Sequence, residues 1–374
     1  MNIVFVTNIC THYVIRLFEL LAAKYDMTFY FTGGYETYWE KKNKLRSGNF
    51  PSRDLKGFFL TPGLKITPGL FNLFFKRADI FMKTLDDRFA LFFIFLSAKL
   101  KKRPFILWTG LWHHPQTWLH KRTRWITRAI YRYSDAIIVY GQHVKKYLEA
   151  LGIDPKKIFI APHSVDNEKF NIYVSEAEKH KLKEHLGISV GRIILYVGRL
   201  EECKGLGDLV DAIEDIRQMP VHVLFIGDGS ARKRLEQKCQ QHTIPCKFLN
   251  HIPNQELYRY YAIADIFVLP SITTKHFKEP WGLVINEAMN QGCPVITTDA
   301  VGAAAGGLVE DGSTGYVVPE KNSRALKEAI EKLLKDDDRR AAMRQNAREK
   351  IEKWTPEQTA AGFAEAIDFV TLNK

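Results

Sequence analysis

The sequence predicts an α/β protein built from two doubly wound parallel sheets that face a cleft. Three observations carry that reading. Short apolar runs alternate with longer amphipathic stretches along nearly the whole chain. The alternation lapses at the polar residues 164–190, which lack a strand, and then restarts. With 374 residues and 46% hydrophobic content, the chain can bury two separate cores.

Taken in order, NIVFVT (2–7) and MTFYFTG (27–33) read as strands on either side of a helix at 14–25. Residues 34–65 are polar and punctuated by Gly and Pro, the pattern of a long loop. Strands at 78–84, 105–110, 135–141 and 157–163 then alternate with helices at 86–101, at about 121–133 and up to Ala150. Beyond the linker come strands at 192–198, 221–227, 246–252, 265–271, 294–299 and 315–319. The helices among and after them fall near 206–217, 230–241, 254–263, 283–291, 323–334 and 339–354. A last amphipathic helix covers 356–371. The expected organisation is an N-terminal domain at 1–165, a linker at 166–190, a C-terminal domain at 191–354 and a closing segment at 355–374. Strands that alternate with helices pair in parallel, and such sheets bind ligands outside the carboxyl ends of their strands.

Several classes fall away at once. The longest apolar run, residues 90–96, is about half of what a bilayer-spanning helix needs. The N-terminus has no basic region ahead of an apolar stretch, so it reads as a buried strand rather than a signal peptide. Five scattered cysteines with no CxxC pair indicate a reducing cytoplasm and neither disulfides nor a zinc site. No P-loop, GxSxG or HExxH motif occurs. The acidic run Asp336–Asp338 lies between two helices and reads as a cap, so no metal is expected.

Charge is divided unevenly. Residues 1–165 hold 26 Lys and Arg against 11 Asp and Glu, whereas the remainder holds 28 against 31. Segments 65–77 and 99–132 mix cations with Phe, Trp and Leu, which suits a surface drawn to anionic lipid. The aromatics cluster with aliphatics and no nucleic-acid module is present, so nucleic acid is not an expected partner.

Three motifs carry chemistry. In GRLEECKG (198–205), Gly198 ends a strand and Arg199 and Lys204 project from the turn before a helix. A helix N-terminus with two cations beside it is a diphosphate site, although a solvated loop would look the same. GDG (227–229) places Asp228 at the next strand end, where a plain turn is the bland alternative. In EPWGLVINE (279–287), Glu279 sits in a loop and Glu287 on the helix after it, eight residues on. Ionised carboxylates accept several hydrogen bonds and so can hold sugar hydroxyls, or they can simply favour the helix dipole.

In this order, GRLEECKG, GDG and EPWGLVINEAMNQGCPVITT resemble the C-terminal domain of retaining GT-B glycosyltransferases of family 4, the glycosyl transferases group 1. The likeness is specific over about 190–355 and only architectural over 1–165. It implies two Rossmann-like domains and a nucleotide-diphosphate sugar as donor substrate, with no cofactor. By resemblance Arg199 and Lys204 hold the diphosphate, Glu279 accepts from the sugar, and Glu287 binds the ribose. Gly282 and Leu283 would give backbone N–H groups to the phosphates, Asn250, His251 and Ile252 would line the base, and Gly198 and Asp228 would complete the donor site. A functional His is common after the strand at 105–110, where this chain offers His113 and His114, and His113 lies nearer the strand.

Two departures bear on specificity. The family's first-loop glycine pair is replaced by TNICTH (7–12), with Thr7, Asn8 and His12 as its polar groups, and VGAAAGGLVEDGSTG (301–315) is rich in Ala. The expected acceptor is a glycan or lipid-linked saccharide, met by the basic half. The expected location is cytoplasmic, peripheral on the inner face of the cell membrane. Rival readings are a catalytically inactive scaffold of the same fold, a nucleotide-sugar epimerase and a sugar phosphorylase.

Overall fold

The computed structural model describes residues 1–33, 48–61, 64–216 and 219–373. They form two compact units, Met1–Ser164 with Pro356–Lys374, and Val165–Thr355.

In unit 1, seven strands pair in the order β3-β2-β1-β6-β7-β8-β9. They are β1 (Asn2–Thr7), β2 (Asp26–Phe31), β3 (Ser52–Asp54), β6 (Ile80–Thr84), β7 (Phe105–Thr109), β8 (Ala136–Val139) and β9 (Ile158–Ile160), all parallel. Successive residues of β1 serve opposite faces, as the period of two requires. Ile3 and Phe5 join one core with α1 (Ile15–Lys24) and the closing helix α14 (Pro356–Leu372). Val4 and Val6 join the other, with α2 (Gly69–Phe75), α3 (Arg88–Leu100), α4 (Trp118–Tyr133) and α5 (Gln142–Ala150). Phe18 and Phe29 stack at 4.3 Å in the first core, beside Phe5. Each such ring contributes roughly 1.5–3 kcal/mol on burial. The closing helix is held by Phe363, which meets Trp108 at 5.1 Å, and by Thr359, whose hydroxyl lies 2.7 Å from that of Ser164.

The loop expected over 34–65 needs revision. Residues 34–47 and 62–63 lie outside the described residues. The rest holds β3 and an antiparallel hairpin of β4 (Phe58–Thr61) and β5 (Leu64–Ile66). Strands of three or four residues with every side chain of β3 exposed leave no alternating pattern to read.

Unit 2 is a six-stranded parallel sheet in the order β12-β11-β10-β13-β14-β15. Its strands are β10 (Arg192–Val197), β11 (Val221–Ile226), β12 (Cys246–Leu249), β13 (Ile266–Leu269), β14 (Val295–Thr298) and β15 (Gly315–Val318). The helices around them are α7 (Leu206–Glu214), α8 (Arg232–Gln241), α9 (Asn254–Ile263), α10 (Leu283–Asn290), α11 (Gly302–Ala305), α12 (Ser323–Lys335) and α13 (Asp337–Ile351). Residues 166–190, read from sequence as a linker, fall within this unit and hold a further helix, α6 (Glu176–His185). A capping box fixes its start: Ser175 accepts from the Glu178 N–H, and the Glu178 carboxylate accepts from the Ser175 N–H at 2.9 Å. None of its side chains is fully buried, so no apolar stripe announced it. Asp336 caps α13 by accepting from the Arg339 N–H at 2.8 Å, which accounts for the acidic run.

Candidate functional site

The strand order of unit 2 reverses direction between β10 and β13, and the segments that leave these two strands meet at the carboxyl edge. In doubly wound sheets this reversal opens the ligand crevice. After β10 the chain turns at Gly198, passes a single 3-10 turn (Glu202–Lys204) and enters α7 through Gly205. After β13 it runs through Pro270 and Ser271 to Glu279 and enters α10 through Gly282.

The two segments are joined by charge and by backbone. The Lys204 ammonium donates to the Glu279 carboxylate, which also accepts from the Ser271 hydroxyl at 3.1 Å. Both members of the pair are buried, and Lys204 also lies 5.2 Å from the centre of the Phe277 ring. The Ile272 N–H donates to the Cys203 carbonyl at 2.9 Å, and Gly205 packs against the Pro270 carbonyl so closely that a Cβ would lie 2.0 Å from that oxygen. A buried ion pair tolerates loss of neither partner, because the survivor stays as an uncompensated charge.

Arg199 is placed differently from Lys204. Its guanidinium is half exposed and donates to Glu201 at 2.9 Å. Its own carbonyl accepts from the Tyr196 hydroxyl at 2.7 Å, which sets the turn. Gly198 and Gly227 form the adjoining turn. Both have positive φ, and a Cβ on Gly227 would lie 2.0 Å from the Gly198 carbonyl oxygen. Asp228 accepts from the Gly229 N–H at 2.8 Å, so it closes this turn.

Beyond β12, Asn250 accepts from Arg232 at 2.7 Å, with His251 and Ile252 half-buried after it. Arg232, at the first position of α8, also lies 5.9 Å from the Phe248 ring centre. Neither Arg232 nor Ser271 was found from sequence. For Arg232 the signal was available, since it follows GDG at the head of the next helix. Ser271 carried none.

Gly282 (φ 95°) caps α10, and Leu283 is its first residue. Trp281 beside it is buried, donates to Asn286 at 2.9 Å and stacks on Trp354 at 6.0 Å. The two glutamates therefore have separate surroundings. Glu279 meets Lys204 and Ser271, whereas Glu287 lies within α10 and accepts from the Tyr261 hydroxyl of α9 at 2.7 Å.

Burial raises the Glu287 carboxyl from 4.5 to about 7, partly offset by the Tyr261 hydrogen bond. Folding therefore takes up a proton here between pH 4.5 and about 7. Stability linked to this group is full below pH 4.5 and is lost as pH rises through about 7, an effect of the order of 3 kcal/mol. The expected result is that Glu287→Gln gains stability over the parent as pH is raised from 5 to 8, read as the difference in melting temperature. Parallel curves for the two proteins would show that Glu287 does not titrate in this range.

His113 and His114 lie in unit 1, in the loop after β7. His114 is buried and donates from Nε2 to the His120 carbonyl at 3.0 Å, which makes it part of the turn into α4. His113 is half-buried. In the first loop Thr7 accepts from the Thr84 hydroxyl at 3.1 Å, and Asn8 accepts from the Ile9 N–H at 2.7 Å. His12 begins a 3-10 turn with its ring 5.3 Å from that of Tyr13.

Comparison with known proteins matches both units. The family described as "Glycosyl transferases group 1" matches residues 178–350, and "Glycosyltransferase Family 4" matches residues 11–169. A D-inositol 3-phosphate glycosyltransferase of Corynebacterium urealyticum is 29% identical over 287 residues, covering 69% of this chain and 66% of its own. The alpha-D-kanosaminyltransferase of Streptomyces kanamyceticus is 26% identical over 275 residues, covering 69% and 68%. The chain thus spans about two thirds of the length of these relatives. Among solved structures, Anabaena HepE in complex with UDP superposes with a TM-score of 0.79 at 20% identity, covering 98% of this chain and 100% of that one. Sucrose-phosphate synthase from Thermosynechococcus elongatus gives 0.78 at 19%, covering 100% of both. With two Rossmann-like units and a family match to each, the chain is a GT-B glycosyltransferase and belongs to the glycosyl transferases group 1.

Proposed function

We propose that the protein transfers a hexose-type sugar, with retention, from a nucleotide-diphosphate sugar to a glycan or lipid-linked saccharide. The observation that carries this reading is the buried Lys204–Glu279–Ser271 cluster where the strand order of unit 2 reverses. One cation and one carboxylate held together can address the two charged and polar halves of such a donor. Lys204, with Arg199 and the start of α10, would stabilise the departing diphosphate, where preorganised positive charge acts most strongly. Glu279 would accept hydrogen bonds from the sugar, and Glu287 from the ribose.

Retention would follow from attack on the face that the diphosphate leaves. The acceptor oxygen bonds to the anomeric carbon as the carbon–phosphate-oxygen bond breaks, and the acceptor hydroxyl proton passes to the departing phosphate. A uridine donor is the first choice, since HepE, which shares the fold, is seen with UDP and with UDP-glucose.

The test is product analysis with UDP-glucose labelled in the sugar, in the absence of acceptor, beside the GDP-linked equivalent. Slow release of UDP or GDP with free α-glucose is the expected result. Donor recovered intact from both would support the inactive scaffold. A sugar epimerised at one carbon would support the epimerase, and free β-sugar would overturn retention.

A further inference from the structure

One face of unit 1 carries a surface that donor chemistry does not use. Helices α2, α3, α4 and α5 cover one face of its sheet, and three of them turn large apolar side chains outward. On α3 the exposed positions are Phe92, Leu96 and Leu100, four residues apart, so they form one stripe along the helix. Arg88 heads that stripe and lies 2.9 Å from the His120 ring of α4, which joins the two helices at one end. On the other side, Phe71 of α2 packs on Phe93 at 5.0 Å while remaining exposed, and Phe75 is 81% exposed. Trp118 and Trp125 of α4 are about as open, at 69% and 70%. A core has no use for these rings, and scattered exposure does not produce a stripe.

Charge decides what could cover the surface. Residues 55–77, 88–103 and 118–133, which include these helices, hold 14 Lys and Arg and not one Asp or Glu. Lys99 and Arg103 reach carboxylates from outside these stretches, Asp135 and Asp79. Arg77 and Lys102 are exposed just beyond the ends of α2 and α3, Lys121 and Arg122 are exposed on α4, and Arg122 lies 4.9 Å from the Trp118 ring centre. Apolar side chains flanked by cations, with Trp at the margin, match the order of a bilayer from hydrocarbon to interface to anionic headgroup.

We propose that this α2–α3–α4 face is the protein's docking surface for a bilayer containing anionic phospholipid. Phe92, Leu96, Phe71 and Phe75 enter the acyl boundary, and the surrounding cations meet the headgroups. Among the described residues no helix is long and apolar enough to cross a membrane, so attachment here is interfacial. The inference extends the lipid-linked acceptor of the proposed function, but its test uses no sugar donor.

The experiment is co-sedimentation of the full chain with vesicles of phosphatidylcholine alone and of phosphatidylcholine with one quarter phosphatidylglycerol. Binding to the anionic vesicles, weakened by added salt, and little binding to the neutral ones is expected. Phe92→Ser with Leu96→Ser lowers partitioning by about tenfold or more, from the apolar area lost. Arg77→Glu with Lys102→Glu lowers it by a similar factor and weakens the salt dependence. Both pairs lie at the surface, so the thermal melting temperature and far-UV circular dichroism without vesicles should match the parent and certify the fold. Equal binding to both vesicle types, no binding, or parental binding by the Phe92/Leu96 variant would overturn the proposal. So would a lipid-free dimer that the same variant converts to monomer, which would assign the face to a second copy of the chain.

Discussion

Replacing Lys204 with Ala is expected to slow release of nucleotide from the sugar donor by two to three orders of magnitude, about what removing one charge-stabilising group costs elsewhere. The same change leaves Glu279 buried without its cation, with Ser271 as a remaining hydrogen-bond donor. That loss destabilises unit 2 by about 3–5 kcal/mol. The two effects are separated by the neutral pair Lys204→Met with Glu279→Gln, which keeps the volume and removes both charges. Melting temperature should recover in the double variant, because a buried pair replaced by neutral side chains of similar size is close to neutral in stability. Turnover should not recover. A double variant that regains turnover at saturating donor would show that the pair only holds the loops together, and the diphosphate assignment would be withdrawn.

A stability effect of comparable size falls one residue later. Gly205 has φ 64° and stands against the Pro270 carbonyl, where a Cβ would come within 2.0 Å. Ala at this position must adopt a left-handed conformation and push apart the segments leaving β10 and β13. The sum of the two is a loss of at least about 3 kcal/mol. Gly207, two residues on and inside α7, is the matched control. A Cβ there meets nothing within 4 Å, and the backbone is helical. Gly207→Ala should stabilise the helix by up to about 1 kcal/mol. Thermal unfolding of the two variants, with each transition followed separately because two units need not melt together, makes the comparison. Equal melting temperatures would mean that the turn can relax away from Pro270.

Much of this site could be read before any coordinates. The order of strands and helices after residue 190 follows from apolar runs flanked by Gly and polar turns, and Arg199, Lys204, Glu279 and Glu287 were named from spacing and resemblance. Their surroundings were not legible. Lys204 and Glu279 are 75 residues apart, and only the parallel pairing of β10 with β13 brings their loops to one place. Sequence assigned them separate ligand groups, whereas the fold makes them one ion pair. The pairing of Glu287 with Tyr261 depends in the same way on α9 packing beside α10, and it is burial, against that hydrogen bond, that raises the carboxyl. Short elements were missed for a different reason. The capping box of α6 and the edge strand β3 contain too few apolar residues to give a period.

By itself, then, the sequence determined the α/β class, the alternation of elements, the family and the types of residue present at the strand ends. These rest on local patterning and on motifs that survive being read one segment at a time. Only the tertiary structure decided which of those residues share a partner and which apolar side chains face water. Phe92 and Phe95 illustrate the second point, three residues apart on one helix. Phe92 is exposed, and Phe95 packs at 5.3 Å on Phe105 of the sheet. Their composition is identical, and the direction in which α3 lies on its sheet separates them. Charge at a distance and burial are properties of the packed chain, because both depend on neighbours that sequence order does not name.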